Sequence, residues 1–194
     1  MPDSDRLRVA VIIGSTRKNR FGSVPARWFA NQARQREDFE IEVIDLRAAE
    51  LPAVLTDDDE PDPEPVQALS PRLAAADAFV VVTPVYNRGY PAALKNAIDW
   101  YFDEWSAKPV AFVSYGGTGG GLHSIEQLRQ VFNEVHATTL RDTVSFHNYE
   151  EVFNEEGEPI DADGVNGAAK TLLDQLAWWA HALRDARRKH PFNT

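Results

Sequence analysis

Three short segments carry residues whose types and spacing suit ligand chemistry. GSTRKNRFGS, residues 14–23, sets Ser15 and Thr16 beside Arg17, Lys18 and Arg20, between Gly14 and Gly22. Hydroxyls, free amides and three cations just before a helix start make an anion site, most naturally for a phosphate. Charged hydrogen bonds of ~1.5–3 kcal/mol each outweigh the ~0.3–1 kcal/mol of the helix terminus. PVYNRGY, residues 84–90, offers Pro84, Val85, Tyr86 and Asn87: an apolar surface with amide donors at its edge, on which a flat heterocycle can lie. SYGGTGGGLHS, residues 114–124, contains Ser114, Tyr115, Gly116 and Gly117 and has five glycines in positions 116 to 121, which allow a backbone to approach a ligand closely. Each has a plainer reading: a basic surface loop, a turn in which Asn87 bonds its own backbone, a flexible glycine stretch. Neither a GxGxxG fingerprint nor a Walker A loop is present.

The elements that must position these segments follow from hydrophobic spacing. RVAVII (8–13), IEVIDL (41–46), AFVVV (78–82) and VAFVS (110–114) have strand length, and a fifth strand falls within ATTLRDTVSF (137–146). The first and third runs are β-branched enough for burial on both faces. A helix begins near Ser23. Leu94, Ala97, Ile98, Tyr101, Phe102 and Trp105 form one apolar helical stripe, with Pro91 as the first helical residue. Ile125, Leu128, Phe132 and Val135 form a second; Leu172, Leu176, Trp179 and Leu183 form a third in a long C-terminal helix. Strands alternating with helices predict an α/β, doubly wound five-stranded parallel sheet, as a single domain over residues 1–194. In such a sheet ligands bind beyond the strands' carboxyl ends, where all three segments lie.

Composition narrows the function. Thirty acidic against 20 basic residues give a net charge of −10, which disfavours nucleic acid and anionic membranes as partners. Six of the acids lie in TDDDEPDPEP, residues 56–65, which its prolines mark as a solvated loop. With no cysteine there are no disulfides, thiolate metal sites or cysteine nucleophiles. The polar start MPDSDRL and the lack of a membrane-length apolar run predict a soluble, cytoplasmic protein.

Other chemistries find less support. The histidines at 123, 136, 147, 181 and 190 have no metal-ligand spacing, and there is no GxSxG elbow. His123 and His147 are candidates for a pocket mouth. Asp99 and Asp103 stand four apart on the expected helix, a solvated edge in the plainer reading. RRKH (187–190) suits a helix C-terminus. Trp100 lies off its helix's apolar stripe, which predicts an exposed tryptophan at a symmetric dimer contact.

GSTR after the first strand, TPVYN with PAALKNAIDW after the third and SYGG after the fourth resemble the NAD(P)H-dependent FMN reductases, flavodoxin-like enzymes that include quinone, azo and chromate reductases. The resemblance covers about residues 7 to 135. It implies strand order 2-1-3-4-5, FMN as cofactor, NADPH or NADH as co-substrate, a small-molecule electron acceptor, and a homodimer or homotetramer with FMN at the subunit interface. It assigns Ser15 and Arg17 to the phosphate, with Arg20 able to contribute where many members carry serine. It assigns Pro84, Tyr86 and Asn87 to the isoalloxazine, and Ser114, Gly116 and Gly117 to the loop near the ring's dimethylbenzene or pyrimidine side. A flavodoxin-like electron carrier and a non-enzymatic flavin-sensing module are the alternatives.

Overall fold

The computed structural model describes residues 6–57 and 59–192, so Met1–Asp5 of the acidic start and Asp58 of the acidic tract lie outside the described residues. Five parallel strands form one sheet in the order β2-β1-β3-β4-β5: β1 Leu7–Ile13, β2 Phe39–Asp45, β3 Ala78–Pro84, β4 Pro109–Tyr115 and β5 Thr138–Phe146. α1 (Ser23–Arg34) and α6 (Ala162–Lys189) cover one face; α3 (Glu64–Ala75), α4 (Ala92–Asp99) and α5 (Leu122–Glu134) cover the other. The four-residue α2 (Leu46–Ala49) follows β2 directly.

The central strands are apolar throughout because alternate residues enter different cores. Val80 and Val82 of β3 pack with Trp28, Phe29 and Leu172, while Phe79 and Val81 pack with Leu94, Ile98 and Leu128. Every residue of β3 and β4 is buried. The outer strands are mixed, with Glu40 and Glu42 exposed on β2 and Arg141 on β5.

Several sequence expectations require correction. α4 starts one residue after Pro91, which is its N-cap, and it stops at Asp99. The apolar stripe to Trp105 is therefore not one helix. After Asp99 the chain folds back in turns: Trp105 packs edge-on to Phe79 at 4.7 Å, Tyr101 is buried, and Phe102 is 44% exposed. Asp103 thus shares no helical face with Asp99, which pairs with Lys95 at 2.6 Å. Trp100 is half-buried within its own chain, its Nε1 donating to the Pro52 carbonyl at 2.9 Å. The Asn96 side chain donates to the same oxygen at 2.9 Å, so the pair anchors the loop after α2, and Trp100 is not the exposed tryptophan expected from the sequence.

On α6, Leu172 and Leu176 face the sheet, but Trp179 is exposed and Leu183 only half-buried. Ala169, Leu173, Ala177 and Ala180 complete the buried side, where small residues let the helix lie close. Of the acidic tract, Glu64 and Pro65 open α3, and the described remainder is a largely exposed loop.

Candidate active site

Because the strands are parallel, their carboxyl ends share one edge, and the strand order reverses between β1 and β3. Beyond β1, Ser15 is fully buried and its hydroxyl lies 2.6 Å from the hydroxyl of Tyr86, which follows β3. The Arg17 guanidinium sits 5.6 Å from the centre of the Tyr86 ring. Among the described residues, nothing accepts a hydrogen bond from the backbone amides of Ser15, Thr16, Arg17 or Lys18. Four consecutive free donors beside two exposed cations form an anion cradle. Thr16 also lines an adjoining cavity of about 440 Å³ with Leu46, Arg47 and Ala92.

Arg20 is engaged differently. It ion-pairs with Asp45 at the end of β2, and its Nε is buried without a partner. The second Asp45 oxygen accepts the Arg47 amide at 3.0 Å and caps α2. The charge of Arg20 is thus largely balanced inside the chain, and the residue ties the β1–α1 loop to β2. Gly22 caps α1, and a Cβ there would lie 2.6 Å from the Tyr115 hydroxyl. Its lack of a side chain makes room for that tyrosine.

The loop after β3 is a tight reversal. Tyr86 and Gly89 exchange backbone hydrogen bonds of 2.8 and 2.9 Å, and both residues between them, Asn87 (φ 48°) and Arg88 (φ 68°), are left-handed. This is the type I′ pattern, with asparagine in one of its favoured places. Pro84 is buried and Asn87 exposed. The fully buried Ser124 of α5 fixes the loop, its hydroxyl 2.9 Å from the carbonyls of both Pro84 and Gly89. Gln127 donates to the Arg88 carbonyl at 2.9 Å.

The glycine loop after β4 lies against this turn. The Val85 amide donates to the Tyr115 carbonyl at 3.3 Å, and a Cβ on Gly116 would stand 2.7 Å from Val85 Cγ1. The Ser114 hydroxyl is turned inward, bonded to the Gly120 carbonyl at 2.6 Å and to Ser145 at 2.9 Å, so it braces the loop from beneath. Tyr115 is also buried; burial, followed by the nearby Tyr86, holds its phenol well above the usual tyrosine range. Gly117 is exposed, and among the described residues the amides of Gly117, Thr118 and Gly119 have no acceptor.

Of the residues singled out in the sequence, then, Ser15, Thr16, Arg17, Val85, Tyr86, Asn87, Gly116 and Gly117 lie together along the carboxyl ends of β1, β3 and β4, the candidate cleft. Pro84, Ser114 and Tyr115 are buried beneath it, and Arg20 and Gly22 shape the first loop. The sequence reading missed several neighbours. Phe21 and Tyr149 pack at 4.7 Å, and Tyr115 lies 5.6 Å from each, an aromatic wall from three strand ends. Burial raises the Tyr149 phenol, as does Glu150. His147, a mouth candidate, bonds the Thr118 carbonyl through Nδ1 at 2.7 Å and lies flat against Gly120. FHNYEEVF has no simple periodicity, so only its aromatic content could have pointed to this wall.

The family model for NADPH-dependent FMN reductase matches residues 7–151, a span containing every residue of the cleft. The chain belongs to that family. It is 39% identical over 122 residues to an NAD(P)H-dependent FMN reductase of Schizosaccharomyces pombe, covering 59% of this chain and 60% of that protein. It is 32% identical over 181 residues to an NADPH:quinone oxidoreductase of Arabidopsis thaliana, covering 89% and 91% respectively. The structure of FerB, a flavoenzyme NAD(P)H:(acceptor) oxidoreductase from Paracoccus denitrificans, superposes with a TM-score of 0.68 at 26% identity, covering 92% of this chain and 98% of that one. No helix among the described residues is long and apolar enough to cross a membrane.

Proposed function

We propose that this chain is an FMN-dependent NAD(P)H oxidoreductase acting on a quinone, azo compound, free flavin or similar small acceptor. FMN, when bound, would supply the redox chemistry, hydride acceptance from the nicotinamide and two-electron delivery to the acceptor. The observation that carries this reading is a pair of free-amide clusters, Ser15–Lys18 and Gly117–Gly119, on strand ends that flank the β3 turn.

The residues fit the cofactor. The first cluster, with Arg17 and Lys18, suits a terminal phosphate; Val85, Tyr86 and the amides near Asn87 suit a ring face and edge; the second cluster suits the ring's polar margin. The Gly117, Thr118 and Gly119 amides would favour negative charge on a ring margin held beside them. No side chain has to act as acid or base while hydride moves, and excluding water falls to Val85 and the aromatic wall.

We further infer a single-domain, homodimeric, cytoplasmic enzyme. The cleft is open above Asn87 and Gly117, where a second copy would cover it, and a reduced nicotinamide co-substrate argues for the cytoplasm. Titration of the flavin-free protein with FMN, followed by initial rates with NADPH and benzoquinone, tests the function. Tight FMN uptake and parallel double-reciprocal lines are expected. A protein that takes up no FMN contradicts the proposal, and sedimentation showing only monomer contradicts the dimer.

A further inference from the structure

We propose that Arg88 determines co-substrate choice by gripping the 2′-phosphate that distinguishes NADPH from NADH; this rests on the functional reading above. Arg88 occupies the second central position of the β3 turn at φ 68°, where a type I′ turn ordinarily takes glycine. An arginine here is strained, and the surroundings enforce it. Tyr86 and Gly89 close the turn with two hydrogen bonds, Gln127 holds the Arg88 carbonyl at 2.9 Å, and Ser124 reaches Gly89 at 2.9 Å. The backbone is pinned while the side chain stands exposed at the rim of the cleft.

That side chain has no hydrogen-bond or ion-pair partner among the described residues. Several other cations are occupied. Arg36 pairs with Asp38 and Asp174, Arg72 with Glu42, and Lys95 with Asp99. In the functional reading, Arg17 and Lys18 serve the FMN phosphate. Arg88 is then a cation at the rim without an anionic partner among the described residues, in a chain of net charge −10 that repels a polyanionic dinucleotide. NADPH carries one more phosphate group than NADH, and a guanidinium fork matches phosphate oxygens two at a time. A strained position that glycine would fill more easily therefore carries the group suited to that difference.

The test compares FMN-loaded wild type with Arg88→Gly and Arg88→Lys. Glycine relieves the left-handed strain, so the variant's thermal midpoint should stay close to wild type. Its NADPH-to-NADH ratio of kcat/KM should fall about 10-fold or more, the scale of one charged hydrogen bond. Calorimetric binding of 2′,5′-ADP should weaken by a similar factor, that of 5′-AMP much less, and Arg88→Lys should lie between. An unchanged ratio, or equal losses for both co-substrates, overturns the proposal. Wild type that takes up no FMN would instead contradict the functional reading, and the 2′,5′-ADP titration, which needs no flavin turnover, would still judge Arg88.

Discussion

Ser15 and Tyr86, 71 positions apart in the chain, bring their hydroxyls within 2.6 Å and so join the ends of β1 and β3 across the reversal of strand order. A neutral bond of this kind contributes about 0.5–1.5 kcal/mol. Tyr86→Phe should lower folding stability by about that amount in urea titration, while the circular dichroism spectrum stays unchanged. A wild-type midpoint in the variant would mean that the two strand ends are held by packing alone.

Arg17 lies exposed over Tyr86 beside four unbonded amides. Arg17→Ala should weaken FMN binding about 10- to 100-fold, as expected for a lost charged contact to phosphate, with little change in thermal stability. Quenching of flavin fluorescence measures the affinity. Unchanged affinity would remove the first loop from the cofactor site.

Ser124 supports the cleft from behind. Its hydroxyl donates to the buried Pro84 carbonyl, which the Thr83 hydroxyl also reaches at 3.0 Å, and approaches Gly89, so Ser124→Ala deprives a turn closed around two left-handed residues of its brace. A loss of about 0.5–1.5 kcal/mol is expected, that of one neutral hydrogen bond, because Thr83 and the Tyr86 amide still satisfy the two carbonyls. Hydrogen exchange should quicken at Gly89 before it does in β3 itself. Exchange that quickens uniformly would mean the serine stabilises the core and not the turn.

Lys108 supplies a pH dependence far from the cleft. It is 5% exposed and donates to the carbonyls of Leu73 and Ala74, yet burial, with Arg187 nearby, lowers its pKa from 10.5 to about 8. Between about pH 8 and 10.5 the unfolded chain therefore holds more of this proton than the native state. Stability contributed by this group rises with pH across that window, and below it the charged amine opposes folding in full. In urea titrations from pH 7.5 upward, wild type should gain relative to Lys108→Met as pH increases. A pH-independent difference would show that Lys108 titrates as an ordinary lysine.

The sheet was legible because its inner strands are buried on both faces, which writes Val80–Val82 as an uninterrupted β-branched run. The helix after β3 was legible at its start and misleading at its end. Tyr101 and Trp105 keep helical spacing, but they are buried by turns that fold back onto Phe79, a tertiary contact without a local signal. Trp100 failed for a related reason: its partner is the carbonyl of Pro52, 48 residues away, which no periodicity reveals. In the cleft, residue type identified the three loops but not the direction of each side chain. Ser114 reads as a ligand donor in sequence, whereas strand alternation turns its hydroxyl toward Ser145. Arg20 reads as a free cation until Asp45 is brought beside it by the pairing of β1 with β2.

The most direct test is an absorption spectrum of the purified, FMN-supplemented protein, taken without oxygen before and after one equivalent of NADPH. A bound-flavin band at about 450 nm that bleaches on mixing and returns when benzoquinone is added is expected. A bound-flavin band that NADPH leaves untouched would make the protein a flavin carrier and not a reductase; no bound flavin at all would contradict the cofactor site itself.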